Sequence, residues 1–188
     1  MVGGKWTTFR AFAEQAADAV LAELGKSRAT DTLNLPIGGG LGFPREGEVL
    51  DAYLARKYAI GPERAAYLAD AYGTRAEELL RFCMARDDDK PLDAVTQTTE
   101  AEIAYLATNE FVVTLEDMLL RRTSLCIRGD VSGDIVRRVA DVMARELRWS
   151  QEHASDEVDA FVRNLDDYHG VSRETLEQRS QDRRLTCA

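Results

Sequence analysis

The sequence predicts an all-α protein, a bundle-like domain of about seven or eight helices, and three observations carry that prediction. Apolar residues recur at helical spacing along most of the chain. Capping signals and Gly or Pro stops punctuate them at ordinary helix lengths. The connections left between those stops are mostly short, as in helical bundles. At 45% apolar and 30% charged residues, the 188-residue chain can bury a real core. Its length fits one domain, or one domain plus a short remnant of another.

Over residues 7–25, Phe9, Phe12, Ala13, Ala16, Ala17, Val20, Leu21 and Leu24 form one amphipathic stripe, closed by Gly25 and Lys26. Residues 26–44 read as a flexible connector. Their Gly38-Gly39-Gly40-Leu41-Gly42 cluster and two prolines exclude regular helix, with a short extended piece expected at Leu33-Asn34-Leu35. Val49, Tyr53, Leu54 and Tyr58 then mark a helix stopped near Gly61. Pro62, at a position where a first turn accepts proline, opens the next through Ala65, Leu68 and Ala69 to Gly73. Thr74 with Glu77 reads as a capping box ahead of Leu79, Leu80 and Cys83. The charged segment 86–91 is a solvated loop.

Thr99 with Glu102 reads as a second capping box, ahead of Ile103, Tyr105 and Leu106. Residues 109–114, with Phe111, Val112 and Val113, stay open between helix and extended chain. Leu115, Met118, Leu119 and Arg122 are helical again. Gly129-Asp130 breaks the chain before Ile135, Val139, Val142, Met143 and Leu147. Ser150 caps a further helix through Val158, Phe161, Val162 and Leu165, ending near Gly170. The polar last stretch is left between a loose helix and disorder. The expected division is a terminal motif and helix (1–26), a connector (27–45), a helical domain (46–170) and a polar tail (171–188).

Several function classes are disfavoured. A net charge of −9 argues against nucleic-acid partners, which need clustered Lys and Arg. No apolar run is long enough for a membrane span, and the start lacks a signal-peptide pattern, so a cytoplasmic location is expected. Cys83, Cys126 and Cys187 read as reduced thiols, and no metal site is expected, since His153 and His169 cluster with no cysteine. Both histidines, and the acidic residues from Glu152 to Asp167, read as wet helix surface. The glycine cluster lacks the Lys-Ser/Thr of a phosphate loop. Arg121-Arg122-Thr123 could grip an anion, but a helix C-terminus is the better reading. No nucleophile–base pair stands out, so no catalytic residue is assigned.

The most chemically loaded feature is the start. Gly3 and Gly4 allow close backbone approach, and Lys5 sits beside a helix N-terminus that favours negative charge. From the residues alone, a plain chain end followed by a helix cap takes precedence.

A resemblance adds to this reading. Val2-Gly3-Gly4-Lys5-Trp6-Thr7-Thr8-Phe9-Arg10 is similar to the last flavin-contacting motif of the FAD-dependent glycerol-3-phosphate dehydrogenase and alpha-glycerophosphate oxidase family. Leu35-Pro36 and the glycines after it resemble that family's connector. Ala71-Tyr72-Gly73-Thr74-Arg75-Ala76 resembles its Tyr-Gly-Ser/Thr turn, and Thr99-Glu100-Ala101-Glu102-Ile103-Ala104-Tyr105 its Glu-Ala-Glu helix. Glu116-Asp117-Met118-Leu119-Leu120-Arg121-Arg122-Thr123 is similar to its Arg-Arg-Thr signature.

The resemblance implies the helical C-terminal domain of an enzyme that oxidises glycerol 3-phosphate to dihydroxyacetone phosphate with FAD. Electrons would pass to a quinone, or to oxygen in the oxidase branch. It implies that Gly3, Gly4, Lys5, Trp6 and Thr7 lie against the isoalloxazine ring, with Lys5 also facing substrate. The family's Gly-x-Gly-x-x-Gly segment is absent, so FAD is not expected on this chain alone. The expected partner is the missing N-terminal flavin domain, and the chain alone is expected to be inactive. A sticky first helix would allow a homo-oligomer, and the parent protein would sit peripherally on the cytoplasmic face of a membrane. The competing reading is a stand-alone helical interaction or regulatory module.

Overall fold

Apolar stripes at helical spacing become helices wherever a cap or stop defines their ends, and the computed structural model describes residues 6–45, 48–87 and 89–186. A 3-10 turn at Trp6–Thr8 leads into α1 (Phe9–Glu23). Then come α2 (Glu48–Tyr58), α3 (Pro62–Tyr72), α4 (Ala76–Met84) and α5 (Glu100–Asn109). A π-helical segment at Asp117–Arg122 precedes α6 (Gly133–Leu147), α7 (Gln151–His169) and α8 (Arg173–Thr186). The described residues thus hold eight α-helices and no strand, with one isolated bridge between Pro91 and Thr99.

α5 is the axis of the helical body. Residues 101–107 are all buried, the pattern of a helix enclosed on every side. It packs on α4 and α6, and α6 in turn carries α7 and α8. Local chemistry sets the ends. Pro62 occupies the first turn of α3, and the side chains of Thr99, Ser132 and Ser150 accept N–H bonds at the starts of α5, α6 and α7. Gly170 ends α7 in the left-handed conformation that glycine adopts without strain.

Four expectations need correction. The Thr74–Glu77 capping box does not form: Arg75 takes the cap position of α4 without a side-chain bond. The Thr74 hydroxyl instead donates to the carbonyls of Gly39 (3.0 Å) and Leu41 (2.9 Å), and Glu77 accepts from Lys57 (2.9 Å). Only half of the second box exists. The Thr99 hydroxyl accepts from the Glu102 N–H, but the Glu102 carboxylate turns inward. Leu33-Asn34-Leu35 is a turn, closed by the Leu35 N–H on the Thr32 carbonyl, and not an extended piece. The glycine cluster is pinned to the helical body and not a flexible connector. Beyond these four, the polar stretch after Gly170, left between a loose helix and disorder, forms α8, docked on α6 through buried Leu176 and Ser180.

The open stretch 109–114 resolves as well. α5 stops at Asn109, and Phe111 adopts a left-handed φ of +53° with its ring 96% exposed. Thr114 and Asp117 cap reciprocally. The Asp117 N–H donates to the Thr114 hydroxyl (3.1 Å), and the Thr114 N–H to the Asp117 carboxylate (3.0 Å).

Candidate functional site

Of the five residues assigned to the flavin contact, Gly3, Gly4 and Lys5 lie outside the described residues. Trp6 and Thr7 open the 3-10 turn, with Thr7 exposed. α1 follows without a side-chain cap bond at its start, and not one of its residues is buried. Phe9, Val20 and Leu24 stand open to solvent. Within the stripe that predicted this helix, Phe12, Ala16 and Leu21 are half-buried, and none is fully buried among the described residues.

Polar ties to the segment after it hold α1 instead. The Arg10 guanidinium donates to the carbonyls of Thr32, Leu33 (3.5 Å) and Leu35 (2.6 Å). One turn along, the Glu14 carboxylate accepts from the Thr32 N–H (2.9 Å) and hydroxyl (3.1 Å). Those Thr32 donors, with Arg28 adding to them, hold the Glu14 carboxyl below its ordinary value. Arg28 pairs with Asp18 at 2.9 Å and Glu14 at 3.0 Å. Arg10 belongs to the quoted motif, but nothing in the sequence signals that its partners are backbone carbonyls some twenty residues on.

Sequence reasoning also missed a buried polar cluster inside the helical body. Glu102, fully buried on α5, takes the Arg64 guanidinium on one carboxylate oxygen (2.9 Å). The other oxygen accepts from the hydroxyls of Tyr67 (2.6 Å) and Tyr72 (2.7 Å), both on α3. Arg64 also donates to the Gln97 carbonyl and the Thr99 hydroxyl (3.2 Å). Burial, and next the Glu102 charge, push both phenols well above the ordinary tyrosine range. Burial likewise pushes the nearby Cys83 thiol up to about 12, the inert state of a packed cysteine. Every oxygen of Glu102 has a donor, so the cluster braces α3 against α5 and leaves no base free for chemistry. The only hint in the sequence was a Glu within an apolar helix, which the capping-box pattern explained away.

The remaining candidates behave as plain structure. Arg121 pairs with Glu116 (2.5 Å) and Asp117, and Arg122 lies at the C-terminal end of the π-helical segment, 4.0 Å from Glu110. His153 and His169 are exposed, His153 edge-on to Trp149. Among the described residues no group of His, Cys, Asp or Glu could hold a metal ion. A cleft of about 630 Å³ lies between α6, α8 and residues 92–95. Its arginines are paired: Arg137 to Glu177 (2.7 Å), Arg138 to Glu100 (2.9 Å), Arg183 to Asp93 and Arg184 to Asp134 (2.5 Å). A whole FAD needs a strand–turn–helix cradle for its pyrophosphate, and the described residues contain no strand.

Against known proteins, the family model for the C-terminal domain of alpha-glycerophosphate oxidase matches residues 30–154. A probable mitochondrial glycerol-3-phosphate dehydrogenase of Dictyostelium discoideum is 30% identical over 161 residues, covering 84% of this chain and 25% of that protein. The mitochondrial glycerol-3-phosphate dehydrogenase of Mus musculus is 30% identical over 175 residues, covering 88% and 23%. The chain thus spans about a quarter of the length of these curated relatives. The X-ray structure of the Bacillus halodurans glycerol-3-phosphate dehydrogenase complexed with FAD shares the fold. Its TM-score is 0.70 at 23% identity, over 87% of this chain and 34% of that one. The helices that pack on α5, the residues matched and their extent agree: this chain belongs to the family of the C-terminal domain of alpha-glycerophosphate oxidase.

Proposed function

We propose that this chain is the helical C-terminal portion of an FAD-dependent glycerol-3-phosphate dehydrogenase, whose other portion carries the flavin and the reaction. The observation that carries this reading is α1. It is amphipathic, follows the Gly-Gly-Lys-Trp-Thr motif, and buries nothing, in a chain a quarter as long as its relatives. An unpartnered apolar face of this kind marks a contact surface.

Bound FAD would supply the hydride-acceptor chemistry that turns glycerol 3-phosphate into dihydroxyacetone phosphate. In that complex Gly3 and Gly4 would let the backbone approach the ring edge, flanked by Trp6 and Thr7. The N–H groups at the start of α1 would face negative charge on the ring, and Lys5 would face the substrate phosphate. Electrons would leave to a quinone. No helix among the described residues is long and apolar enough to cross a membrane. Contact with the quinone's membrane would then be peripheral, on the cytoplasmic face; recovery of the protein in a mitochondrial fraction would replace that placement. The exposed stripe of α1 would also let the isolated chain self-associate.

The test is FAD titration of the 188-residue chain beside an upstream-extended protein, followed by glycerol 3-phosphate-dependent dye reduction. Flavin binding and turnover by the extended protein alone are expected. Turnover by this chain alone would mean the site has been misplaced. Flavin binding by neither would favour a stand-alone helical interaction module.

A further inference from the structure

The geometry points to residues 32–41 as a strap that sets where the flavin-side end of α1 sits relative to the helical body, with Arg10, Gly39 and Gly73 as its positioning residues. This rests on the flavin reading above. At one end, the Arg10 fork gathers three carbonyls, those of Thr32, Leu33 and Leu35, and Glu14 adds the Thr32 N–H and hydroxyl. Arg10 stands in the first turn of α1, three residues after Thr7, the last residue assigned to the flavin edge. A guanidinium suits this task because its donors are fixed in one plane, so several carbonyls are held in one geometry.

At the other end the strap is fastened to the turn between α3 and α4. The Gly39 carbonyl accepts both the N–H and the hydroxyl of Thr74, each at 3.0 Å, and Leu41 accepts the same hydroxyl. The two backbones are pressed together. A Cβ on Gly39 would lie 2.1 Å from the Tyr72 carbonyl oxygen, and one on Gly73 would lie 2.4 Å from that of Gly39. Both glycines also hold left-handed φ angles, +72° and +57°. The fastening continues inward, because the Tyr72 hydroxyl is bound to buried Glu102. Only residues 36–38 separate the Arg10 pin from the Gly39 pin, and one of them is Pro36, whose φ is fixed. A tether that short and stiff has little slack. The helical body thereby fixes the start of α1, and a displacement there of ~1 Å can cost on the order of a hundredfold in rate.

Arg10→Met, Arg10→Lys, Gly39→Ala and the milder Thr74→Val test this in two settings. In the 188-residue chain, Arg10→Met and Gly39→Ala should speed proteolysis within residues 26–45 by about tenfold or more, with helical circular dichroism unchanged. In the upstream-extended protein the same variants should keep stoichiometric FAD and KM. They should lower kcat by about tenfold and alter the visible circular dichroism of the flavin. Arg10→Lys should recover part of the loss, since an ammonium reaches one carbonyl but cannot fork, and Thr74→Val should give a smaller change of the same sign. Proteolysis, kcat and flavin signal all within twofold of wild type would overturn the strap. If the wild-type extended protein binds no FAD, the flavin reading fails, and proteolysis alone decides the strap.

Discussion

α1 and α6 are both fifteen residues long, and both carry an apolar stripe at helical spacing. α6 buries Ile135, Val136, Val139, Ala140, Val142 and Met143 against α5, α7 and α8, while α1 buries nothing. Amphipathic periodicity states that a helix needs a partner and not where the partner is. For α6 the partners are in this chain. For α1 the polar ties run only to Arg28 and residues 32–35 among the described residues, and no residue of its apolar face is fully buried.

The contrast can be broken from either side. The largest effect should come from Glu102→Leu, which takes the carboxylate from Arg64, leaves the Tyr72 hydroxyl without its acceptor and leaves Tyr67 only the Thr98 hydroxyl. A loss of about 3–5 kcal/mol is expected in urea unfolding. Met143→Ala should cost about 2–5 kcal/mol by opening a cavity beneath α6. Alkali should act next, and on the body alone. Tyr67 and Tyr72 have folded values raised by burial and by Glu102. Their contribution is complete below the ordinary phenol value of about 10 and is lost as pH rises above it, so thermal stability should fall there.

Acid should loosen the docking of α8 more gently. Asp134 is held below its ordinary value first by Arg184, with Arg137 also contributing, and Glu177 by Arg137. Depressed carboxylates stabilise fully above the ordinary range, and that part is lost as pH falls below about 4. Faster hydrogen exchange along α8 in that window is the expected signature. The smallest effect should come from Val20→Ser or Leu24→Ser, within about 0.5 kcal/mol in this chain. A cost matching that of Met143→Ala would show that α1 is packed after all.

The helices were largely legible in the sequence, because stripes such as Ile135, Val139, Val142 and Met143, with Ser150 and Pro62 at the ends, are local signals. The failures came where a local pattern lost to a tertiary partner. Thr74 and Glu77 have capping-box spacing, but Gly39 and Lys57 take their side chains. Glu102 has the same spacing from Thr99, yet three donors from α3 draw it inward. α8 reads as polar because it needs only Leu176 and Ser180 to dock, its remaining ties being ion pairs such as Arg137–Glu177. At the candidate site the motif rests on resemblance alone, its Gly3, Gly4 and Lys5 lying outside the described residues. The ties of Arg10 could not be read, since they run to backbone carbonyls, which no side-chain pattern records.

Hydrogen exchange along α1, compared between this chain and the upstream-extended protein, tests the central claim most directly. The account predicts fast exchange across Phe9–Glu23 in the 188-residue chain and strong protection in the extended protein, with α5 and α6 protected equally in both. Equal exchange of α1 in the two proteins would contradict it, since nothing would then cover the face that this chain leaves open.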